Sequence, residues 1–142
     1  MHDLTRLLLE ARRGLVVELI GELEERGYAD LRPGHAALFL AVDRRYGSRL
    51  VDMAEEAHVT KQAMMTLADE LEARGYVRRV PDPSDARAKL VRLTARGRTA
   101  AAQCRRAVIA IDQRTRRRLG DRTYDLVIGA LEEMSVPFEE ED

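Results

Sequence analysis

The side chains of Lys61 and Gln62 could form hydrogen bonds with phosphate oxygens and with the edges of bases. A glutamine amide can pair at two atoms with adenine, and a lysine can reach phosphate or guanine. Both residues follow Thr60, which is a good N-cap for a helix, and Thr66 comes one turn later. These four residues lie off the apolar stripe of the predicted helix, which consists of Met64, Leu67, Ala68 and Leu71. Periodicity alone fits a solvated helix face equally well.

A second polar cluster lies in the segment PDPSDAR, where Asp85 and Arg87 stand two residues apart. Because side chains two apart lie on the same side of a strand, Asp85 could hold the Arg87 guanidinium ready to enter a minor groove, where negative potential is concentrated. The flanking cations are expected to contact phosphates; they are Arg78, Arg79, Lys89 and Arg92. The alternative is an ordinary solvated hairpin whose surface ion pair contributes under about 1 kcal/mol.

The elements around these residues follow the order of a winged helix-turn-helix. Two helical patterns meet at the turn His58-Val59, and two short strand patterns follow. This order lets one helix enter the major groove of DNA while a hairpin reaches the groove beside it. The predicted elements are a helix over 50–57, a helix from Thr60 that ends at Gly75, a strand over 76–80, a loop over 81–86 and a strand over 90–93.

Helical patterns flank this core on both sides. They predict helices over 3–26 and 33–45 before it, and over 94–119 and 121–134 after it, with Thr94 as the cap of the fifth helix. The sixth helix is expected to bury Tyr124, Val127, Leu131 and Met134. The predicted fold class is therefore mainly α with a small β-hairpin wing. We place an N-terminal helix in 1–32, the winged region in 33–98, and C-terminal helices with an acidic tail in 99–142.

Composition excludes several classes of protein. One cysteine and three scattered histidines give neither a disulfide framework nor the spacing of a metal site. The sequence contains no nucleophile–base pair and no glycine loop for phosphate, so we expect neither an enzyme nor a cofactor. Without an apolar run of about 20 residues, we expect a cytoplasmic protein that does not enter the membrane. The net charge is −1, yet residues 58–98 carry nine Lys and Arg against five Asp and Glu, so a local positive field remains.

The wing segment resembles that of the MarR family of bacterial transcription regulators. The hallmark is D-x-R followed by a strand and L-T-x-x-G, which here is Asp85-Ala86-Arg87 and Leu93-Thr94-Ala95-Arg96-Gly97. The stretch VTKQAMMTLADELEARGYVRR and the helical flanks extend the resemblance over nearly the whole chain.

The resemblance implies a homodimer whose first, fifth and sixth helices interlock and whose two heads bind a pseudo-palindromic operator in double-stranded DNA. It implies a repressor that a small aromatic or phenolic ligand releases. Tyr28 and His35 lie near the place where the family's ligand pocket would form. Arg87 matches the wing-tip arginine and Asp85 its orienting partner. The recognition-helix positions match Thr60, Lys61, Gln62, Ala63 and Thr66.

The chain departs from the family pattern at three positions. Thr66 and Glu70 stand where cations are common, and Ala86 stands where a second arginine often precedes the wing-tip arginine. These departures leave open an alternative function, a winged-helix module for protein contact that does not bind DNA. Cys104 could sense oxidants, but its place on an apolar helical stripe favours a small buried hydrophobe.

Overall fold

The structure is a computed structural model, and it describes residues 3–136. Residues 137–142, which include the whole of the predicted acidic tail, lie outside the described residues. The chain forms two compact units, residues 1–108 and 109–142. The described elements, in chain order, are α1 (Leu4–Glu25), α2 (Pro33–Ala41), α3 (Leu50–Glu56), α4 (Lys61–Ala73), β1 (Val77–Asp82), β2 (Asp85–Leu93), α5 (Ala95–Leu119) and α6 (Asp121–Met134). No helix among residues 3–136 is long and apolar enough to cross a membrane.

The core of the first unit lies beneath the helix-turn-helix. Helix α4 packs against α2, α3 and β1. It buries Met64, Ala68 and Leu71, while Leu67 is partly exposed. The helix begins where predicted, because the Thr60 hydroxyl accepts the backbone N–H of Ala63 at 3.0 Å. The predicted order of helices and strands is confirmed.

The wing is longer than the sequence indicated. Strands β1 and β2 pair antiparallel from Val77 opposite Leu93 to Pro81 opposite Lys89, and only Pro83 and Ser84 form the turn. The predicted loop over 81–86 and the late start of the returning strand at residue 90 were therefore wrong. Proline, aspartate and serine are typical of loops, but a proline is tolerated on an edge strand, where its missing N–H is not needed.

Helix α2 ends at Ala41, before the predicted end at residue 45. Val42 adopts an extended backbone, with φ −73° and ψ 136°. The Asp43 carboxylate then accepts the backbone N–H groups of Arg45 and Tyr46, at 2.9 and 2.7 Å. A side chain that bonds to nearby backbone donors competes with the helix for them. The chain next forms a single bridge, in which Ser48 pairs with Val91 of the wing.

The apolar residues predicted to be buried in α6 are not buried within the single chain. Val127, Leu131 and Met134 are 41, 40 and 50% exposed, and Tyr124 is partly exposed. Helix α1 also exposes apolar side chains, including Leu4, Leu9 and Val17. Helical spacing identifies a face that is apolar, but it does not identify what covers that face.

The junction between the wing and α5 is fixed by Thr94. Its hydroxyl donates to the backbone oxygen of Gly75 at 2.7 Å, and it accepts the N–H of Gly97 at 3.1 Å as the helix cap. Gly97 packs so closely that a Cβ there would stand 1.9 Å from the backbone oxygen of Tyr76. The threonine and glycine of the L-T-x-x-G motif are therefore required by contact between the start of α5 and Gly75-Tyr76, the residues that precede β1.

Three helices of the first unit end in the same hydrogen-bonded motif, but one of them lacks the usual glycine. At the ends of α1 and α4 the left-handed position is held by Gly27 and Gly75, with φ 88° and 79°. At the end of α3 it is held by His58, with φ 55°. There the N–H groups of His58 and Val59 bond to Glu55 and Ala54 at 3.2 and 3.0 Å. A side chain is strained in this backbone region.

Replacing His58 with glycine should raise the free energy of unfolding by about 0.5–1 kcal/mol. The substitution removes the clash of the Cβ, and the greater freedom of glycine in the unfolded chain offsets part of that gain. Urea unfolding of His58→Gly and His58→Ala measures the difference. Equal stability of the two variants would show that the left-handed backbone at this turn is not strained.

Candidate nucleic-acid interface

A basic cleft of about 450 Å³ lies between the start of α3, the start of α4 and the wing. Five of its eight lining residues are lysine or arginine. The lining consists of Arg49, Leu50, Val51, Lys61, Arg79, Arg87, Ala88 and Lys89. The structure thus brings together four of the residues that the sequence predicted for DNA contact, from α4 and from both strands of the wing. A groove lined by charges of one sign concentrates the electrostatic field and so attracts a partner of opposite charge, here a polyanion.

The start of α4 presents its predicted DNA-contacting residues to solvent. Lys61, Gln62 and Ala63 are exposed on its first turn. The hydroxyls of Thr60 and Thr66 already have backbone partners, since Thr60 caps the helix and Thr66 donates to the backbone oxygen of Gln62 at 3.1 Å. Lys61 and Gln62 are therefore the side chains of this helix whose polar ends are best placed for phosphate and base contact.

Asp85 organises the backbone of the wing rather than the guanidinium of Arg87. Its carboxylate accepts the backbone N–H of Arg87 at 3.0 Å. Arg87 is exposed on β2 and lines the basic cleft, and Lys89 follows two residues later on the same strand. The Asp–Arg spacing in the sequence thus fixes the local path of the strand from which Arg87 extends.

Arg79 was predicted to contact phosphate, but its guanidinium is paired within the protein. It lies 2.6 Å from the Asp69 carboxylate and 2.8 Å from that of Glu72, both on α4, and its side chain is only 20% exposed. Its backbone N–H also donates to Glu72 at 3.0 Å. These contacts attach β1 to α4, so a phosphate would have to compete with two carboxylates for this arginine.

A second ion pair at the wing was not predicted from the sequence. Arg49, just before α3, contacts the Asp82 carboxylate near the wing turn, with its Nε and one terminal nitrogen at 2.7 and 2.6 Å. Asp82 is buried, and hydrogen bonds from Ser84 and Arg49 lower the pKa of its carboxyl below the ordinary value. The spacing Asp-Pro-Ser indicated a turn, but nothing in the sequence connected it to an arginine 33 residues earlier.

The two residues predicted for the ligand pocket are part of the packing of the first unit. Tyr28 is partly buried against the core, and His35 is completely buried. The Nδ1 of His35 accepts the backbone N–H of Arg32 at 3.0 Å, so the other ring nitrogen carries the proton and donates to Glu70 at 2.6 Å. Both ring nitrogens of His35 are thus occupied.

Glu70 stands at a position where the resemblance to the MarR family leads us to expect a cation, and its contacts explain a carboxylate there. Its carboxylate contacts the guanidinium of Arg32 as well as the ring of His35. Both contacts lower the pKa of Glu70, and burial lowers the pKa of His35. The residue therefore joins the start of α2 to α4.

The stability of the protein should fall as the pH is lowered from 7.5 to 5.5. Burial puts the pKa of His35 below its ordinary 6.5 in the folded state, so the unfolded chain binds a proton first. The stabilisation is complete above pH 6.5 and is lost progressively below it. Urea unfolding at several pH values should give a flatter dependence for His35→Gln than for the exposed control His58→Gln. Equal slopes would contradict this assignment.

The thiol of Cys104 is placed in the core rather than at a reactive surface. It is completely buried on α5, and burial raises its pKa to about 11. Because the thiolate is the reactive form, this environment opposes a role in sensing oxidants.

Cys104 should therefore react with an aromatic disulfide reagent at pH 7.5 at least about 100-fold more slowly in the folded protein than in guanidinium chloride. Absorbance of the released thiolate measures both rates. Comparable rates would show that the thiol is accessible in the native state.

Comparison with known proteins gives two findings. Residues 29–88 match the model of the MarR family, and curated proteins give no significant match. The chain also shares its fold with solved structures. The first is CouR from Rhodococcus jostii RHA1 bound to p-coumaroyl-CoA, with a TM-score of 0.80 and 25% identity over 98% of this chain and 96% of that one.

Two further structures show the same fold. A mutant of MarR from E. coli, complexed with operator DNA, has a TM-score of 0.82 and 22% identity over 94% of each chain. BpsR from Bordetella bronchiseptica, whose DNA binding is regulated by 6-hydroxynicotinic acid, has a TM-score of 0.83 and 21% identity over 96% of each chain.

Proposed function

We propose that the protein is a sequence-specific DNA-binding transcription regulator of the MarR family, whose model matches residues 29–88. It is a repressor that a small ligand releases from its operator. It binds and does not catalyse, and it acts in the cytoplasm. The relatives of similar fold include MarR complexed with operator DNA and CouR bound to p-coumaroyl-CoA.

The basic cleft is the observation that carries this proposal. It joins Lys61 at the start of α4 to Arg87 and Lys89 on the wing, so a single surface presents cations from both DNA-reading elements. With the start of α4 in the major groove, the wing reaches the adjacent minor groove. Gln62 supplies contacts to base edges, and the cations supply contacts to phosphates and to the minor groove.

A second copy of the chain is the partner that covers the exposed apolar side chains of α1 and α6. Within residues 121–134, α6 has no buried residue, and it exposes Leu126, Val127 and Leu131 by 66, 41 and 40%. Such exposure is typical of a helix that forms an interface. Two heads related by a twofold axis read half-sites about one helical turn apart, which gives a pseudo-palindromic operator.

The effector is a small aromatic or phenolic molecule. CouR was solved with p-coumaroyl-CoA, and 6-hydroxynicotinic acid regulates BpsR. Such a ligand favours a dimer whose heads are spaced wrongly for the two grooves. Operator affinity then falls by the coupling free energy between the two sites, typically about 1–3 kcal/mol. Since both ring nitrogens of His35 are occupied, we assign it the positioning of Glu70 and α4 rather than direct ligand contact.

Selection from sheared genomic DNA at physiological salt should enrich a pseudo-palindromic site. On the selected duplex, Arg87→Ala should weaken binding about tenfold, because it removes the wing contact. Arg106→Ala is the matched control, since it removes an exposed arginine of α5 that does not line the basic cleft. Fluorescence anisotropy at several salt concentrations measures affinity and salt dependence together.

The salt dependence separates specific recognition from weak charge attraction. Removing one cation that binds a phosphate should reduce the slope of log K against log salt by about one unit, so Lys89→Ala should flatten the slope and Arg106→Ala should not. If folded protein enriched no sequence and bound random DNA no better than its variants did, the protein-contact module would become the better assignment.

The dimer has its own test. Leu131→Asp should shift the protein from dimer to monomer in sedimentation velocity, because it places a charge on the apolar face of α6. The control Thr123→Asp adds the same charge at an exposed polar position of the same helix. A wild-type protein that sediments as a monomer at micromolar concentration would contradict the proposed dimer.

A further inference from the structure

Asp82 is an anion held beside the basic cleft, whose charged lining residues are all cations. It ends β1, beside the two-residue turn of the wing, yet its side chain is only 6% exposed. One carboxylate oxygen accepts the backbone N–H and the hydroxyl of Ser84, at 2.9 and 2.7 Å. The other oxygen contacts Arg49. A carboxylate that is buried and has this many donors is fixed in position.

Arg49 connects that carboxylate to the body of the protein. Its Nε donates to Asp82 at 2.7 Å, a terminal nitrogen lies 2.6 Å from the same oxygen, and a longer contact of 3.5 Å reaches the Ser84 hydroxyl. Arg49 immediately precedes α3, so the pair joins the wing turn to the first helix of the helix-turn-helix. Both Arg49 and Arg87 line the basic cleft.

We propose that Arg49 and Asp82 form a positioning pair that holds the wing where Arg87 faces DNA. The inference rests on the proposed DNA-binding function and adds two residues to its machinery. The outer part of a two-stranded hairpin has little apolar surface with which to fix itself. The ion pair supplies that fixation, so Arg49 acts through the wing and is not primarily a phosphate contact.

The alternative role of Arg49 predicts effects of opposite sign. If Arg49 were a phosphate contact that Asp82 partly neutralises, then removing the Asp82 charge would strengthen DNA binding, because a negative charge next to a polyanion is repulsive. If the two residues position the wing, the same change would weaken binding. Asp82→Asn separates the two roles because asparagine is nearly the same size and lacks the charge.

The experiment compares Asp82→Asn with Glu56→Gln on the duplex selected by the wild-type protein. Glu56 is an exposed carboxylate on α3, so the control removes one negative charge without removing the pair. We expect Asp82→Asn to weaken binding about tenfold, because Arg87 is then no longer held against the DNA. We expect Glu56→Gln to bind as tightly as wild type or slightly more tightly.

Two further variants distinguish positioning from a general loss of stability. Arg49→Lys keeps the positive charge but cannot make the two-nitrogen contact, so it should weaken binding, although a phosphate contact would tolerate it. In a double-mutant cycle, Arg87→Ala should cost much less in the Asp82→Asn background than in wild type, because Arg87 is then no longer held in place. Loss of stability alone would leave the cost of Arg87→Ala unchanged. Thermal unfolding confirms that each variant is folded at the temperature of the assay.

The outcomes are distinguishable. Absence of any specific duplex for wild-type protein would overturn the proposed function itself. Specific binding by wild type, together with equal or tighter binding by Asp82→Asn, would overturn the positioning pair and leave the DNA-binding function standing. If Asp82→Asn does not fold, Arg49→Lys decides alone: weaker binding supports the pair and wild-type affinity overturns it.

Discussion

A two-stranded wing has too little apolar surface to hold its own position, and the arrangement of the basic cleft follows from this constraint. Near its base the wing is held by buried Val77, Val91 and Leu93. Beyond them the contacts are ionic. Arg79 attaches β1 to two carboxylates of α4, and Arg49 attaches the wing turn to the start of α3. Arg79 and Arg49 look like DNA contacts, but both are paired with carboxylates of the protein. These ion pairs hold the surface on which the remaining cations lie.

The same principle operates between α4 and α2. Glu70 binds Arg32 and His35, so a carboxylate joins α4 to the start of α2. Where the resemblance to the MarR family leads us to expect a cation, this chain has a carboxylate that forms a link inside the protein. In the proposed DNA complex, fewer cations facing DNA lower the nonspecific affinity and make contacts to base edges relatively more important. The position of Gln62 on the first turn of α4 suits that balance.

The sequence predicted well those features that depend on residues close to one another along the chain. The helices, the Thr60 cap and the order of the winged fold follow from patterns within a few residues, and the structure confirms them. The ends of α2 and of the wing strands were wrong, because a carboxylate at Asp43 and an edge position at Pro81 outweighed the composition of those segments. The pair Arg49–Asp82 joins residues 33 apart, and no local pattern contains that information. The exposure of α6 depends on what covers it, which periodicity does not specify.

The close packing around Thr94 couples the position of the wing to that of α5. One residue separates the end of β2 from the start of α5, and that residue bonds to the backbone on both sides of the junction. With Gly97 packed directly on the backbone of Tyr76, the junction leaves little room for the wing to rotate relative to α5. We therefore expect the first turns of α5 and the wing to move as one rigid body. Since a strand rises about 3.3 Å per residue, a tilt of a few degrees at the helix becomes a displacement of roughly 1–2 Å at the far end of the wing, which carries Arg87.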